Sequence, residues 1–187
     1  MQTVQKAFVA NYEVKRSKFI AHLVPIEQFD SLQERLKEQH QKANHVVYAL
    51  RYLNEFDQIV ENSSDDGEPK GGAGVPSLNV LRGEDMINVA ILTVRYFGGI
   101  KLGVGGMARA YASAVKEVLN QANIVKYEKE FSYEFDSSYS DVQKREYILN
   151  KLGITKVERE FLANRVAWVI QANEKKLNKF KEEICKR

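Results

Sequence analysis

A chain of 187 residues that is 44% hydrophobic can bury one substantial core or two small ones, so one or two domains are expected. No apolar run approaches the roughly 20 residues needed to cross a bilayer. Residues 1–11 lack the apolar block of a secretory signal, which points to the cytoplasm. The single cysteine, Cys185, excludes an internal disulfide, and the scattered His22, His40 and His45 give no zinc-ligand spacing. The formal charge of +3 is uneven: residues 1–124 are neutral and the excess lies in residues 125–187. That excess suits a polyanionic partner, or simply a solvated helix face.

In chain order, residues 7–16 and 18–26 are short runs rich in Phe, Val, Tyr and Ile that read as strands, the second closed by Pro25. Over residues 27–42, Phe29, Leu32 and Leu36 recur at helical spacing among charged side chains, predicting an amphipathic surface helix. Residues 45–53 return to a β-rich composition. Residues 61–76 (ENSSDDGEPKGGAGVP) hold four glycines, two prolines and four acids and are expected to be loop throughout. Loops of that length inside a compact domain are usually functional or disordered. Residues 87–97 (INVAILTVRYF) are apolar on both faces and predict a central strand. A second glycine cluster then leads into a helix. Its buried stripe is expected at Val104, Met107, Ala108, Tyr111, Ala112, Val115, Val118, Leu119 and Ala122, with Arg109, Ser113 and Lys116 exposed.

From residue 125 the pattern restarts as strand (127–136), helix (141–152), strand (154–161), strand (165–172) and helix (174–185), with Asn164 in the turn between the paired strands. This βαββα order is ferredoxin-like without its last strand, which would leave a sheet edge exposed or used for pairing. Two α+β domains are therefore expected, residues 1–124 and 125–187, each with helices covering one face of a sheet.

Residues 95–111 (RYFGGIKLGVGGMARAY) hold the most chemistry. No acid occurs between Asp85 and Glu117, whereas Arg95, Lys101, Arg109 and Lys116 do, so the local potential should be positive. Glycine permits positive φ and close approach of a ligand to backbone N–H groups, and those groups with a helix N-terminus form an anion site. Arg95, Gly98, Gly99, Lys101, Gly103, Gly105, Gly106 and Arg109 are the candidate phosphate-binding residues; the competing reading is that the glycines only turn a tight corner. Neither a Walker-type loop nor a dinucleotide fingerprint is matched. The acidic loop around Asp65, Asp66 and Glu68 admits three roles. It could hold Mg²⁺ for phosphoryl chemistry, recognise a partner, or act as an internal brace that caps amides or meets Arg95 or Lys101. No catalytic residue, metal or cofactor is assigned: His45 reads as structural rather than as a general base, Ser63 and Ser64 as loop serines, and Trp168 as core rather than a stacking platform.

Three motifs, SDDGEP at 64–69, GxAGxP at 71–76 and RYFGGIKLGxGGxxRAY at 95–111, with AxH at 43–45 and SKF at 17–19, resemble the IMPACT family of YigZ type in its two-domain bacterial form. The resemblance implies that the first domain has the fold of the second domain of ribosomal protein S5. It implies that the second is similar to domain V of elongation factor G. It also implies a motif loop of Asp65, Asp66, Gly67, Glu68, Pro69, Gly71 and Gly74, structural or partner-binding. Eukaryotic relatives regulate translation under stress, partly through an extra RWD domain whose partner interaction is not expected here, and no established reaction comes with the family. This chain has Gly72 where the family commonly has threonine, and Lys70 adds a charge beside the acids. The expected function is a non-catalytic RNA- or ribosome-binding protein linked to translation. The alternatives are a metal-dependent enzyme acting on a phosphorylated or carboxylate small molecule between the two glycine-rich loops, and a protein-interaction adaptor.

Overall fold

The computed structural model describes residues 1–43 and 45–185, so Asn44 of the AxH motif and the two residues after Cys185 lie outside the described residues. Two compact units form, Met1–Tyr127 and Glu128–Arg187. The first contains β1 (Gln2–Val4), β2 (Phe8–Val14), β3 (Ser17–Pro25), α1 (Phe29–Gln39), β4 (His45–Leu53), β5 (Ile59–Ser64), α2 (Gly74–Gly83), β6 (Val89–Tyr96), α3 (Val104–Gln121) and β7 (Ile124–Lys126). An antiparallel sheet in the order β2-β3-β6-β4-β5 forms its centre. β6 is its middle strand, as its unbroken apolar run predicts. Val89 and Ile91 point into a core shared with α2 and α3, while Ala90, Leu92 and Val94 point into a second core shared with Leu32 and Leu36 of α1.

Helices therefore cover both faces of this sheet, not one. A strand that is apolar on both sides exposes one row to water unless both are covered, and burial at about 25 cal/mol per Å² favours covering both. The stretch expected to be continuous loop also has more structure. Residues 61–64 continue β5, where Glu61 sits across from Arg51 and its carboxylate accepts from the Arg51 guanidinium at 2.9 Å and from Arg82 of α2. Residues 74–76 open α2, and Pro76 is tolerated there because a first-turn N–H has no intrahelical partner. The loop proper is residues 65–73. On α3 the buried stripe runs through Met107, Ala110, Tyr111, Ala114, Val115, Val118 and Leu119; Val104, expected in it, is 62% exposed. The unit ends after Tyr127 rather than Ile124 because β7 pairs antiparallel with β1.

The second unit contains β8 (Glu130–Ser137), α4 (Val142–Lys151), β9 (Lys156–Phe161), β10 (Val166–Asn173) and α5 (Glu174–Cys185), with sheet order β8-β10-β9, all antiparallel. Alternate residues Val166, Trp168, Ile170 and Ala172 of β10 pack against Ile148, Leu149, Leu177 and Phe180 of the helices. Trp168 is core: its ring stacks on Phe135 at 5.7 Å and its indole N–H donates to the Ser137 hydroxyl at 2.9 Å. The opposite face is open, and there Glu134, Asp136, Glu158 and Glu160 flank Ala167 and Val169. The exposed lysines Lys144, Lys175, Lys179 and Lys181 lie on the helices, so the basic excess of this unit is segregated from its acidic sheet face. Among the described residues no helix is long and apolar enough to cross a membrane.

Two neighbouring glycines give a direct check of the packing. A Cβ on Gly98 would fall 2.0 Å from the Arg16 carbonyl carbon, backbone against backbone, whereas Gly99, at φ +83°, has open space around it. Gly98→Ala should therefore cost about 3 kcal/mol of unfolding free energy and Gly99→Ala only about 1 kcal/mol, read from urea denaturation midpoints.

Candidate functional site

The register of three strands places Phe19, Arg95 and His45 side by side in one row at the end of the sheet, on the face covered by α2 and α3. Arg95 is the central member and is only 4% exposed. The guanidinium lies 5.6 Å from the ring centres of both Phe19 and Phe97. Glu68, carried over the row by the motif loop and 7% exposed, accepts from Arg95 Nη1 at 2.7 and 3.0 Å through its two oxygens. The Tyr111 hydroxyl on α3 donates to Glu68 Oε1 at 2.8 Å, and His45 Nε2 lies 3.8 Å from Oε2. Burial first, then the adjacent Glu68 carboxylate, pushes the Tyr111 hydroxyl far above its usual titration range, which keeps it a neutral donor.

The other acids of the loop are also committed to internal partners. The Asp65 carboxylate accepts from the backbone N–H groups of Gly71, Ala73 and Gly74 at 2.7, 3.0 and 2.8 Å, satisfying amides at the start of α2. Burial works to raise its pKa, yet the three amides together outweigh it and hold Asp65 below the ordinary aspartate range. Asp66 accepts from Val46 N–H at 2.6 Å through its carboxylate and from His45 Nδ1–H at 2.6 Å through its carbonyl, which fixes the proton of the imidazole on Nδ1. Gly67, at φ +86°, passes under the His45 ring, and Gly74 is pressed against Ser64, where a Cβ would meet backbone at 2.9 Å. A side chain at Gly72 would lie 2.8 Å from the Pro69 carbonyl, so this backbone has no room for the threonine expected from the family pattern. Of the three roles open to the loop, the geometry is that of the internal brace. The three carboxylates face different partners, and among the described residues no three His, Cys, Asp or Glu side chains converge as a metal set.

The glycine-rich segment divides in two. Arg95, expected among the anion-binding cations, is instead sealed in the core and neutralised by Glu68, so it is not a group that can reach a phosphate. Gly98 is also internal: its N–H donates to the Ser17 hydroxyl at 3.2 Å and it packs against the turn at Lys15 and Arg16. The remainder faces solvent. Gly99, Lys101, Gly103, Gly105 and Arg109 are exposed, and Gly106 is half-buried against Leu102. Gly103, at φ +70°, is the N-cap of α3, whose first turn has neither an acidic residue nor a side-chain cap. Arg109 reaches back over that turn, its Nη1 3.5 Å from the Cβ position of Gly105. Sequence reasoning missed two participants. Tyr111 reads as part of an apolar stripe, and the two-residue turn of Lys15 and Arg16, with φ of 46° and 63°, gives no sign that it meets Gly98.

The match to known proteins follows this architecture. Residues 15–119 match the family model described as the Impact N-terminal domain. The chain belongs to the IMPACT family. It is 29% identical to an IMPACT family member of Haemophilus influenzae over 98% of this chain and 90% of that protein. It is 40% identical to the IMPACT family member YvyE of Bacillus subtilis over 66% of this chain and 57% of YvyE, so that similarity spans little more than half of the relative. A crystal structure described as that of a hypothetical protein superposes with a TM-score of 0.65 at 25% identity, covering 98% of this chain and 90% of its own. The mixed helix-and-sheet architecture extends over both units in that comparison.

Two predictions test the site. Glu68→Gln strands the buried Arg95 charge and should cost about 3–5 kcal/mol. Tyr111→Phe removes one hydrogen bond and should cost about 1 kcal/mol; chemical denaturation of both variants reads the difference. On the other face of the sheet, burial, then the charges of His40 and Arg35, lowers His22 from 6.5 to about 4. Its contribution to stability is therefore full above pH 6.5 and lost as pH falls toward 4. His22 should titrate near 4 by NMR, and His22→Leu should flatten the stability profile across that window.

Proposed function

We propose that this chain is a binding module for RNA or ribosomal components that serves the regulation of translation, and that residues 97–109 form the contact. The supporting observation is an asymmetry of commitment. The acids of the motif loop are spent on internal partners, while Lys101 and Arg109, with Lys15 and Arg16 of the adjacent turn, stay in solvent; among the described residues none of these four is held in an ion pair. The amides of the first turn of α3 add partial positive charge in the same place. A phosphodiester backbone, with charge at regular intervals, suits such a surface better than a single small anion does. The resemblance of both domains to ribosome-associated folds, and of the chain to eukaryotic translation regulators, supports the same reading. The exposed lysines on α4 and α5 offer further phosphate contacts, whereas the acidic open face of the second sheet does not.

The metal-dependent reading loses its ligands, because Asp65, Asp66 and Glu68 already serve separate partners. Binding to ribosomes or a ribosomal RNA fragment, measured at several salt concentrations, tests the proposal. Affinity should fall steeply with salt, and Lys101→Ala and Arg109→Ala should each lower the logarithmic salt slope by about one while weakening all sequences alike. A flat salt response, or no binding by the native chain, overturns it.

A further inference from the structure

Three large apolar side chains stand in solvent within the same segment: Phe97 at 46% exposed, Ile100 at 42% and Val104 at 62%. They lie among the exposed cations Lys101 and Arg109, and the neighbouring residue Gly98 is clamped against the Arg16 turn. A surface that only gripped phosphates would have no use for them, since each exposed ring or branched chain costs solvation without adding charge. We propose that the partner of this surface is single-stranded RNA, with one base stacked on Phe97 and the flanking phosphates on Lys101, Arg109 and Arg16. This inference rests on the RNA-binding reading above and narrows it.

Two features favour a stacked base. The Phe97 ring lies over the Arg95 guanidinium at 5.6 Å, and Arg95 is itself fixed by the Glu68 and Tyr111 hydrogen bonds. The ring is thus a rigid shelf against the body of the unit, with nearly half its surface left to solvent. Duplex RNA keeps its bases inside the helix and is bound through shape and phosphates, whereas a single strand presents unstacked bases that every aromatic face accepts. A lipid surface would also draw apolar and basic groups together, but it calls for side chains at a protruding tip. Here Gly98 is pinned under the Lys15 and Arg16 turn and holds the start of the loop down.

The test compares a labelled uridine-rich single strand of about 12 nucleotides with a duplex of equal length, using fluorescence anisotropy on the full chain. The single strand should bind more tightly. Phe97→Ala should weaken it about tenfold with little effect on the duplex, while Lys101→Ala weakens both. Phe97→Trp supplies a second readout that does not depend on the alanine variant folding well: indole emission should be quenched when the strand is added, whereas native protein, whose Trp168 is buried, should show little change. If strand and duplex bind equally and the Phe97→Trp emission is unmoved, stacking is overturned while the RNA-binding reading stands. If neither RNA binds and phosphatidylglycerol vesicles capture the protein instead, both are overturned.

Discussion

A carboxylate and a guanidinium, both removed from water, oblige the rest of the first unit to arrange itself around them. Taking either ion out of solvent costs several kcal/mol, and their attraction offsets this only when geometry and further hydrogen bonds are favourable. Glu68 meets that condition with three contacts from two donors, Arg95 Nη1 and the Tyr111 hydroxyl, and His45 close by. Arg95 meets it less completely, since its Nε has no acceptor, and the rings of Phe19 and Phe97 cover the rest of the guanidinium. Because the two ions come from the motif loop and the middle strand, and the hydroxyl from α3, satisfying one charge fixes three segments at once. Asp65 and Asp66 secure the ends of the same loop through backbone amides, which is why nine residues with little hydrophobic content hold one conformation.

The same constraint changes the meaning of the glycines. A cluster of glycine beside basic residues suggests a phosphate cradle, but several here exist for internal reasons. Gly98 and Gly74 are positions where backbone meets backbone, and Gly67 runs under an imidazole. Gly71, Gly99 and Gly103 combine positive φ with open surroundings, but the Gly71 amide is already taken by the Asp65 carboxylate. Glycine content alone therefore does not measure how much of this segment a ligand could reach.

How much could be read in advance depended on whether the determining partner was near in sequence. The strands at Phe8–Val14, Ser17–Pro25 and His45–Leu53, the central β6 and all five elements of the second unit follow from local periodicity, because each exposes its own pattern of burial. β5 was obscured by polar text: Glu61 and Ser63 belong to a strand because Arg51 and Arg82 hold Glu61, partners ten and twenty-one residues away. β1 and β7 are three residues each and are held by partners far away in the chain, β1 by both β7 and the Asp85–Ile87 segment, so no local signal marks them. At the site, the distinction between Arg95 and Lys101 was illegible for a related reason. Both are cations in an acid-free stretch, and only the strand register reveals that Arg95 points beneath the motif loop, whereas Lys101 lies beyond the strand in solvent.

That distinction also decides what kind of surface remains. If Arg95 were exposed, the segment would be a uniformly basic patch, adequate for any polyanion. With Arg95 withdrawn and neutralised, fewer charges are left than the sequence suggests, and the apolar side chains become a larger share of what solvent meets. Phe97 has an internal use in covering the Arg95 guanidinium, yet nearly half of its surface, and more of Val104, still meets solvent. Phe97 packs over the Arg95 guanidinium, so the buried pair reaches the surface through that ring. Stability of the brace and the pose of that ring are consequently one property, and a disturbance at Glu68 is felt at Phe97 without any change in the exposed cations.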